Sequence, residues 1–177
     1  MSSADIRARR EAVVREHMES ENAHDFDTTI ATFGHPRYEL VATRDVYDGE
    51  DAVRAYFAES RRAFPDQRNE RVALHHAHDA VIVEFDLLGT HLGPLRALPP
   101  TGRAFCCRMS AHFIFDGDEL VCERVYFDQL TIMRQLGLAH DSTSLAGRVT
   151  TLVSHPITIG RALATRVSRR RSYGSGR

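Results

Sequence analysis

Two predicted strands near the centre of the sequence carry the side chains best suited to acid–base chemistry. Because alternate residues of a strand share a face, Asp128 lies on one side with Arg124 and Tyr126. On the preceding strand, His112 lies on one side with Arg108. We hypothesise that these polar faces line an apolar pocket, in which burial raises the pKa of the Asp128 carboxyl group. Asp128 could then remove a proton from a carbon beside a carbonyl, and His112 or Tyr126 could donate a hydrogen bond to the enolate oxygen.

Each of these residues also has a structural interpretation. Asp128, near a strand end, could simply be solvated, and His112 could be a core histidine with satisfied hydrogen bonds. Arg124 could bind a ligand, or it could pair with Asp128 or with a carboxylate of a second chain. As a cation it would oppose any rise in the pKa of Asp128. Tyr126 could pack with its hydroxyl hydrogen-bonded, and Arg108 could lie on the sheet surface instead of contacting a substrate.

Three helices are predicted ahead of these strands. Residues 2–5 fit a capping box that opens the first helix, and the second follows Asp25. The third begins with the acidic run at 48–51 and ends at Pro65, with arginines in its last turn, as the helix dipole favours. Tyr56 lies on this third helix, where we expect it to contact a substrate.

The remaining elements of the first 140 residues are predicted strands. Asp116-Gly117 is a strong turn signal between the last two of them. Helices followed by an antiparallel sheet indicate the α+β class, and helices folded onto a strongly curved sheet would form a cone with an apolar pocket. The predicted strands are 37–43, 70–78, 80–91, 103–115 and 120–128.

Composition excludes several kinds of chemistry. All 23 basic residues are arginine, so no lysine is present for a Schiff base or a phosphate-binding loop. Cys106, Cys107 and Cys122 show no zinc-ligand spacing, and we predict reduced, buried thiols in a cytoplasmic protein. The first ten residues lack the apolar core of a signal peptide, and no apolar run is long enough to span a membrane.

The sequence beyond residue 140 forms a separate, basic extension. Residues 141–177 hold 7 Arg and 1 Asp, a net charge of +6, whereas residues 1–140 carry −7. We predict a cone domain over 1–140 and a helical extension over 141–177, with a disordered end from Ser172. The extension could contact anionic lipid or nucleic acid. We favour packing on the cone or on a second subunit, and we predict no nucleic-acid partner.

A histidine cluster at residues 75–78 suggests metal binding, because His76 and His78 share a strand face. No third ligand is evident nearby, and a strand end that faces water explains the cluster equally well. We therefore predict no metal site.

Two segments resemble the SnoaL-like polyketide cyclases of the nuclear transport factor 2-like superfamily. Residues 89–94, GTHLGP, and 99–103, PPTGR, resemble a GTHxG…PPTGR stretch. Residues 118–138, DELVCERVYFDQLTIMRQLGL, resemble the closing pattern GKIVExWxxxDxxxLLxQLG. The likeness spans residues 8–138, and the order and spacing of the two segments make it specific for the fold.

The resemblance implies a cone-shaped cavity for a small hydrophobic molecule and a homodimer formed through the sheet. It implies a cofactor-free intramolecular aldol condensation, with Asp128 as the base and His112 as the assisting histidine. His91 would lie at the pocket mouth, although it could also cap a turn. The family's tryptophan in the last strand is replaced by Arg124, which brings a cation to that position.

Three functions follow from these observations. The first is a cyclase, isomerase or lyase that abstracts a proton from an apolar carbonyl compound. The second is a non-catalytic member of the same fold that binds a hydrophobic ligand or mediates association. The third, ranked lower, is an epoxide hydrolase of the limonene type. That chemistry is associated with an Arg-x-Asp motif, whereas Arg124 and Asp128 are four residues apart.

Overall fold

The chain divides into two compact units, Met1–Gly137 and Leu138–Arg177. The computed structural model describes residues 3–141 and 144–161. The proposed cap at Ser2, and the predicted disorder from Ser172 onward, lie outside the described residues.

The first unit contains the three predicted helices and one more. These are α1 (Ser3–Asn22), α2 (Phe26–Ala31), α3 (Glu50–Ala63) and α4 (Gln129–Gln135). The side chain of Asp25 caps α2, because it accepts a hydrogen bond from the backbone N–H of Thr28. The sequence analysis missed α4, which ends where Gly137 adopts a positive φ of 76°.

Six strands form a single sheet in the order β2-β1-β6-β5-β4-β3. Neighbouring strands are antiparallel except β1 and β6, which are parallel. The predicted strand at 37–43 is in fact two, because the chain turns at 41–44, with Arg44 at φ 62°, and returns as β2. The strands are β1 (Arg37–Leu40), β2 (Asp45–Asp48), β3 (Arg68–His76), β4 (Ala80–Thr90), β5 (Ala104–Asp116) and β6 (Glu119–Phe127).

The inner face of the curved sheet, covered by the helices, carries the core. Along β5, buried residues alternate with more exposed ones over the whole strand, as a sheet with one covered face requires. Helix α1 buries Val14, His17 and Met18 against this face, and α3 buries Val53 and Phe57. The buried residues of β5 are Phe105, Cys107, Met109, Ala111, Phe113 and Phe115.

The second unit contains α5 (Leu145–Ser154), and residues 156–161 are also helical. Ser144 caps α5 by accepting a hydrogen bond from the backbone N–H of Gly147. Among the described helices, none combines the length and apolarity that crossing a bilayer requires. All three cysteines are free, and two are buried as predicted, but Cys106 is exposed because it lies on the outer face of β5.

Candidate functional site

A cavity of about 380 Å³ lies in the first unit, on the inner face of the sheet. Helices α3 and α4 and the loop from β4 to β5 complete its walls. Its size and mostly apolar lining are typical of small-molecule sites. The apolar wall comprises Leu40, Phe64, Leu87, Leu95, Ala97, Leu98, Phe105, Met109, Val125, Phe127, Ile132 and Met133.

Helix α3 brings the chemically useful groups to this cavity. Tyr56, Glu59 and Ser60 all line it, and their spacing of three and four residues places them on one helical face. The Ser60 hydroxyl donates to Gln67 Oε1 at 2.9 Å and so orients a second polar group of the lining. Glu59 forms no hydrogen bond or ion pair within the described part of the chain. A ligand would therefore displace no partner of this carboxylate in residues 3–141 or 144–161.

Tyr56 is suited to donating a hydrogen bond. Burial, with the nearby carboxylates of Glu21 and Glu123, raises the pKa of its hydroxyl above the ordinary tyrosine value. The phenol therefore stays protonated at neutral pH. Its ring packs 4.8 Å from Tyr47 and 5.6 Å from Tyr38, measured between ring centroids, which fixes its direction.

An ion pair joins two segments of the cavity wall. Arg96, in the loop from β4 to β5, lies 2.7 Å from Asp45 at the start of β2. Hydrogen bonding from Thr43 and from Arg96 lowers the pKa of the Asp45 carboxyl group. Asp45 is therefore a poorer proton acceptor than an ordinary, unpaired carboxylate.

His91 anchors the loop that carries Arg96, and it does not reach the cavity lining. It is fully buried, and its Nδ1 accepts a hydrogen bond from the backbone N–H of Thr101 at 3.2 Å. Its backbone N–H donates to the carbonyl of Arg103 at 2.9 Å. The expected position of His91 at the pocket mouth is therefore wrong, and the turn-stabilising interpretation agrees with the contacts.

The hypothesis that the polar faces of β5 and β6 line the pocket is also wrong. From β5 the cavity is lined by Phe105 and Met109, and from β6 by Val125 and Phe127. The polar residues that alternate with them in this part of the two strands therefore lie on the outer face. Apolar side chains take the covered face because burying them is favourable, whereas charged ones stay in water. Of the predicted substrate-contacting residues, only Tyr56 lines the cavity.

The polar residues that were predicted to line the pocket lie on that outer face instead. His112 packs against Tyr126 at 4.8 Å between ring centroids, and partial burial, then the charge of Arg124, lowers its pKa. Arg124 pairs with Glu39 at 2.6 Å instead of with Asp128. Arg108 and Tyr126 line an open depression that includes Asp128. Nothing in this arrangement surrounds Asp128 with an apolar chamber.

Asp128 is the N-cap of α4. Its carboxylate accepts hydrogen bonds from the backbone N–H groups of Leu130 and Thr131 and from the Thr131 hydroxyl. The Thr131 contacts lower the pKa of this exposed carboxyl group, the opposite of the rise expected from burial. The cap begins the helix that supplies Ile132 and Met133 to the cavity.

Asp128→Ala should therefore lower the melting temperature by a few degrees, whereas Asp128→Asn, which keeps a good cap, should lower it less. The pKa of the Asp128 carboxyl group is lower in the folded state than in the unfolded state. The stabilisation from its cap is therefore present above the unfolded pKa of about 3.9 and is lost as the pH falls through the folded pKa. Thermal unfolding between acid and neutral pH measures both effects. Equal losses for the two variants would contradict a capping role.

A buried polar cluster lies beneath α1, behind Tyr56. The imidazole of His17 is fully buried, with its Nε2 2.7 Å from the Tyr38 hydroxyl and 3.1 Å from Glu123 Oε2. Its Nδ1 lies 2.8 Å from the Thr32 hydroxyl, which itself donates to a backbone carbonyl. Burial, then the charge of Glu123, raises the pKa of Glu21. None of these groups lines the cavity, so we assign them to the support of Tyr56 and its neighbours.

The histidines at 75–78 do not belong to a group of possible metal ligands in the described part of the structure. His76 Nε2 lies 3.2 Å from Glu11 Oε2. Across the described residues, no three His, Cys, Asp or Glu side chains converge as metal ligands.

Sequence reasoning missed most of the cavity's polar groups. Asp45, Glu59 and Arg96 lie far apart along the chain and in different elements, so no local motif signals them. A signal for Glu59 did exist, because it stands one helical turn after Tyr56 on the same face. The alternation along β5 separated its two faces, but the sequence analysis assigned the polar face to the pocket.

These features define the class of the protein: an α+β cone whose curved sheet and helices enclose a small apolar cavity, the nuclear transport factor 2-like fold. The SnoaL-like polyketide cyclase family matches residues 11–136. The chain therefore belongs to the SnoaL-like polyketide cyclase family. No curated protein matches the sequence significantly.

Solved structures agree with this fold. A candidate polyketide cyclase from Xanthomonas campestris pv. campestris has a TM-score of 0.68 at 15% identity, over 74% of this chain and 98% of that one. A phenazine biosynthesis-related protein from Pseudomonas aeruginosa has a TM-score of 0.67 at 16% identity, and the match covers 83% of this chain and 92% of that one. An NTF2-like protein of unknown function from Burkholderia pseudomallei has a TM-score of 0.62 at 16% identity, and the match covers 72% of this chain and 97% of that one. At such identities the likeness concerns the fold alone.

Proposed function

We propose that this protein binds a small, largely apolar carbonyl compound in the inner cavity and removes a proton from the carbon beside the carbonyl, without a cofactor. The observation that carries the proposal is the face of α3. It presents to the same apolar cavity a carboxylate that has no partner among the described residues, Glu59, and a protonated hydroxyl, Tyr56. Membership of a polyketide cyclase family supports a carbonyl-bearing ligand.

In the proposed reaction, the Glu59 carboxylate takes the proton from carbon, and the C–H electron pair forms an enolate. The Tyr56 hydroxyl donates a hydrogen bond to the enolate oxygen. In a cyclase, the enolate carbon then attacks a second carbonyl of the same molecule. That carbonyl oxygen takes up the proton held by Glu59, so the step needs no oxidant or reductant.

The alternative is a non-catalytic protein that binds the same class of ligand. The displacement of Asp128 and His112 to the outer face favours it, because the residues expected to catalyse are absent from the cavity lining. The absence of a cofactor, the homodimer and the cytoplasmic location implied above stay predictions, and the epoxide hydrolase stays ranked lowest.

Bicyclic and tricyclic aryl ketones with an enolisable carbon provide the test, offered to the purified protein in D₂O. Binding is measured as a rise in melting temperature, and proton abstraction as deuterium incorporation at that carbon, followed by NMR. We expect at least one ketone that binds and exchanges faster than in buffer. Ketones that bind without faster exchange would support the binding protein, and a series without any binder would refute both versions.

Met109→Trp should block ligand binding. Met109 lines the cavity from β5 and is 7% exposed, so an indole there would occupy the space of the ligand. We expect affinity for the ketone to fall at least about tenfold, with overpacking costing about 1–3 kcal/mol of stability. Ser110→Trp is the matched control, because the next residue of the strand points to the outer face. Equal losses of binding in the two variants would place the ligand elsewhere.

A further inference from the structure

The second unit contains an amphipathic helix whose apolar side is uncovered. Leu145, Val149, Leu152 and Val153 of α5 recur at spacings of three and four residues, which align them in one stripe. They are 81%, 60%, 51% and 76% exposed, respectively. Ile157, in the following helical segment, is 69% exposed. A row of aliphatic side chains this exposed indicates a binding surface.

The opposite side of α5 is polar and nearly uncharged. Thr151 and Ser154 lie there, and the Thr151 hydroxyl donates to the carbonyl of Gly147 at 2.7 Å, so the helix's own backbone satisfies it. Arg148 lies between the stripe and this polar side, a position from which a long cationic side chain reaches outward while its stem covers apolar surface.

The charge of the unit indicates what the stripe contacts. Residues 138–177 contain 7 Arg and 1 Asp, so the apolar stripe belongs to a segment of net charge +6. A second copy of this segment would bring the same positive charge, which opposes pairing of two such helices. An anionic lipid surface supplies both complements at once, hydrocarbon for the stripe and phosphate groups for the arginines.

We propose that the second unit binds the surface of an anionic lipid bilayer, with α5 lying in the plane of the interface. At about 1.5 Å per residue, this ten-residue helix is about 15 Å long, roughly half the hydrocarbon thickness, so it lies on the bilayer and does not cross it. The aliphatic stripe enters the boundary between headgroups and acyl chains, and Arg148 contacts lipid phosphates. The proposal is independent of the cavity's function.

Flotation of the full-length protein with vesicles tests the proposal. We expect binding to vesicles that contain phosphatidylglycerol, weaker binding to phosphatidylcholine alone, and release as the salt concentration rises. Leu152→Glu places a charge in the stripe and should reduce the bound fraction at least about tenfold. Ser154→Glu adds the same charge on the polar side and should retain most of the binding. Circular dichroism and melting of both variants establish that the cone stays folded.

Three outcomes would overturn the proposal. The first is no flotation with phosphatidylglycerol vesicles. The second is equal loss of binding in Leu152→Glu and Ser154→Glu, because charge alone would then explain the attachment. The third is an oligomer in sedimentation velocity that Leu152→Glu dissociates, which would assign the stripe to a second copy. In the first case, duplex DNA binding would assign the arginines to nucleic acid.

Discussion

Glu59→Gln should slow enzyme-dependent deuterium exchange of a bound ketone by about 10²–10⁴-fold, the usual contribution of a general base. The amide is nearly isosteric with the carboxylate and cannot accept the proton. Because the substitution keeps the size of the side chain and leaves the apolar part of the wall intact, ketone affinity should change little. The loss should therefore appear in the exchange rate at saturating ketone and not in the concentration needed for half-saturation.

Two further variants separate Glu59 from its neighbours. Asp45→Asn removes the other carboxylate of the lining, but Asp45 is paired with Arg96, so exchange should persist. Tyr56→Phe removes the proposed hydrogen bond to the enolate and should reduce exchange by about 10²-fold. If Glu59→Gln retained full exchange while Asp45→Asn or Asp128→Asn lost it, the base would have been assigned to the wrong carboxylate.

Phe57→Ala should lower the free energy of unfolding by about 3–5 kcal/mol, a large part of the 5–15 kcal/mol typical of a folded domain. Phe57 is 1% exposed. Its ring stacks on Phe26 at 4.5 Å and meets Tyr38 edge-on at 5.4 Å, both between centroids. Truncation would leave a cavity between α2, α3 and β1, so the cost combines lost burial with lost aromatic contacts.

Urea unfolding measures this loss of stability. Phe57→Leu is the control, because it removes less buried volume than alanine does. Leucine keeps most of the buried volume, so its cost should be clearly smaller than that of alanine. Phe57 is adjacent to Tyr56 on α3, so Phe57→Ala should also weaken ketone binding at temperatures where the protein is still folded. A cost below about 1 kcal/mol for alanine would mean that the aromatic cluster does not anchor α3.

Local patterns predicted most of the fold. The four longer strands agree with the structure to within about two residues, because alternation is a local property of the chain. The turn after Asp116 lies where its glycine adopts a φ of 62°. The elements missed were short: β2, which pairs only with β1, and α4, whose start depends on the cap at Asp128.

The site was less predictable, because its members come from separate segments. Asp128 matched the family pattern for a catalytic carboxylate, yet its hydrogen bonds make it a helix cap. Tyr56 was predicted and lines the cavity, whereas Glu59, three residues later, was not singled out.

By itself, the sequence determined the order of the longer elements, the alternation that divides most of each long strand into two faces, and the separate charge of the extension. Only the tertiary structure decided which face of the sheet the helices cover. It also brought Asp45, Glu59 and Arg96 to one cavity. Alternation divides a strand into two faces, but the covered face follows from the free energy of burying apolar area across the whole fold. That balance turned Arg108, His112 and Arg124 outward, whereas Glu123 of β6 is buried beside His17.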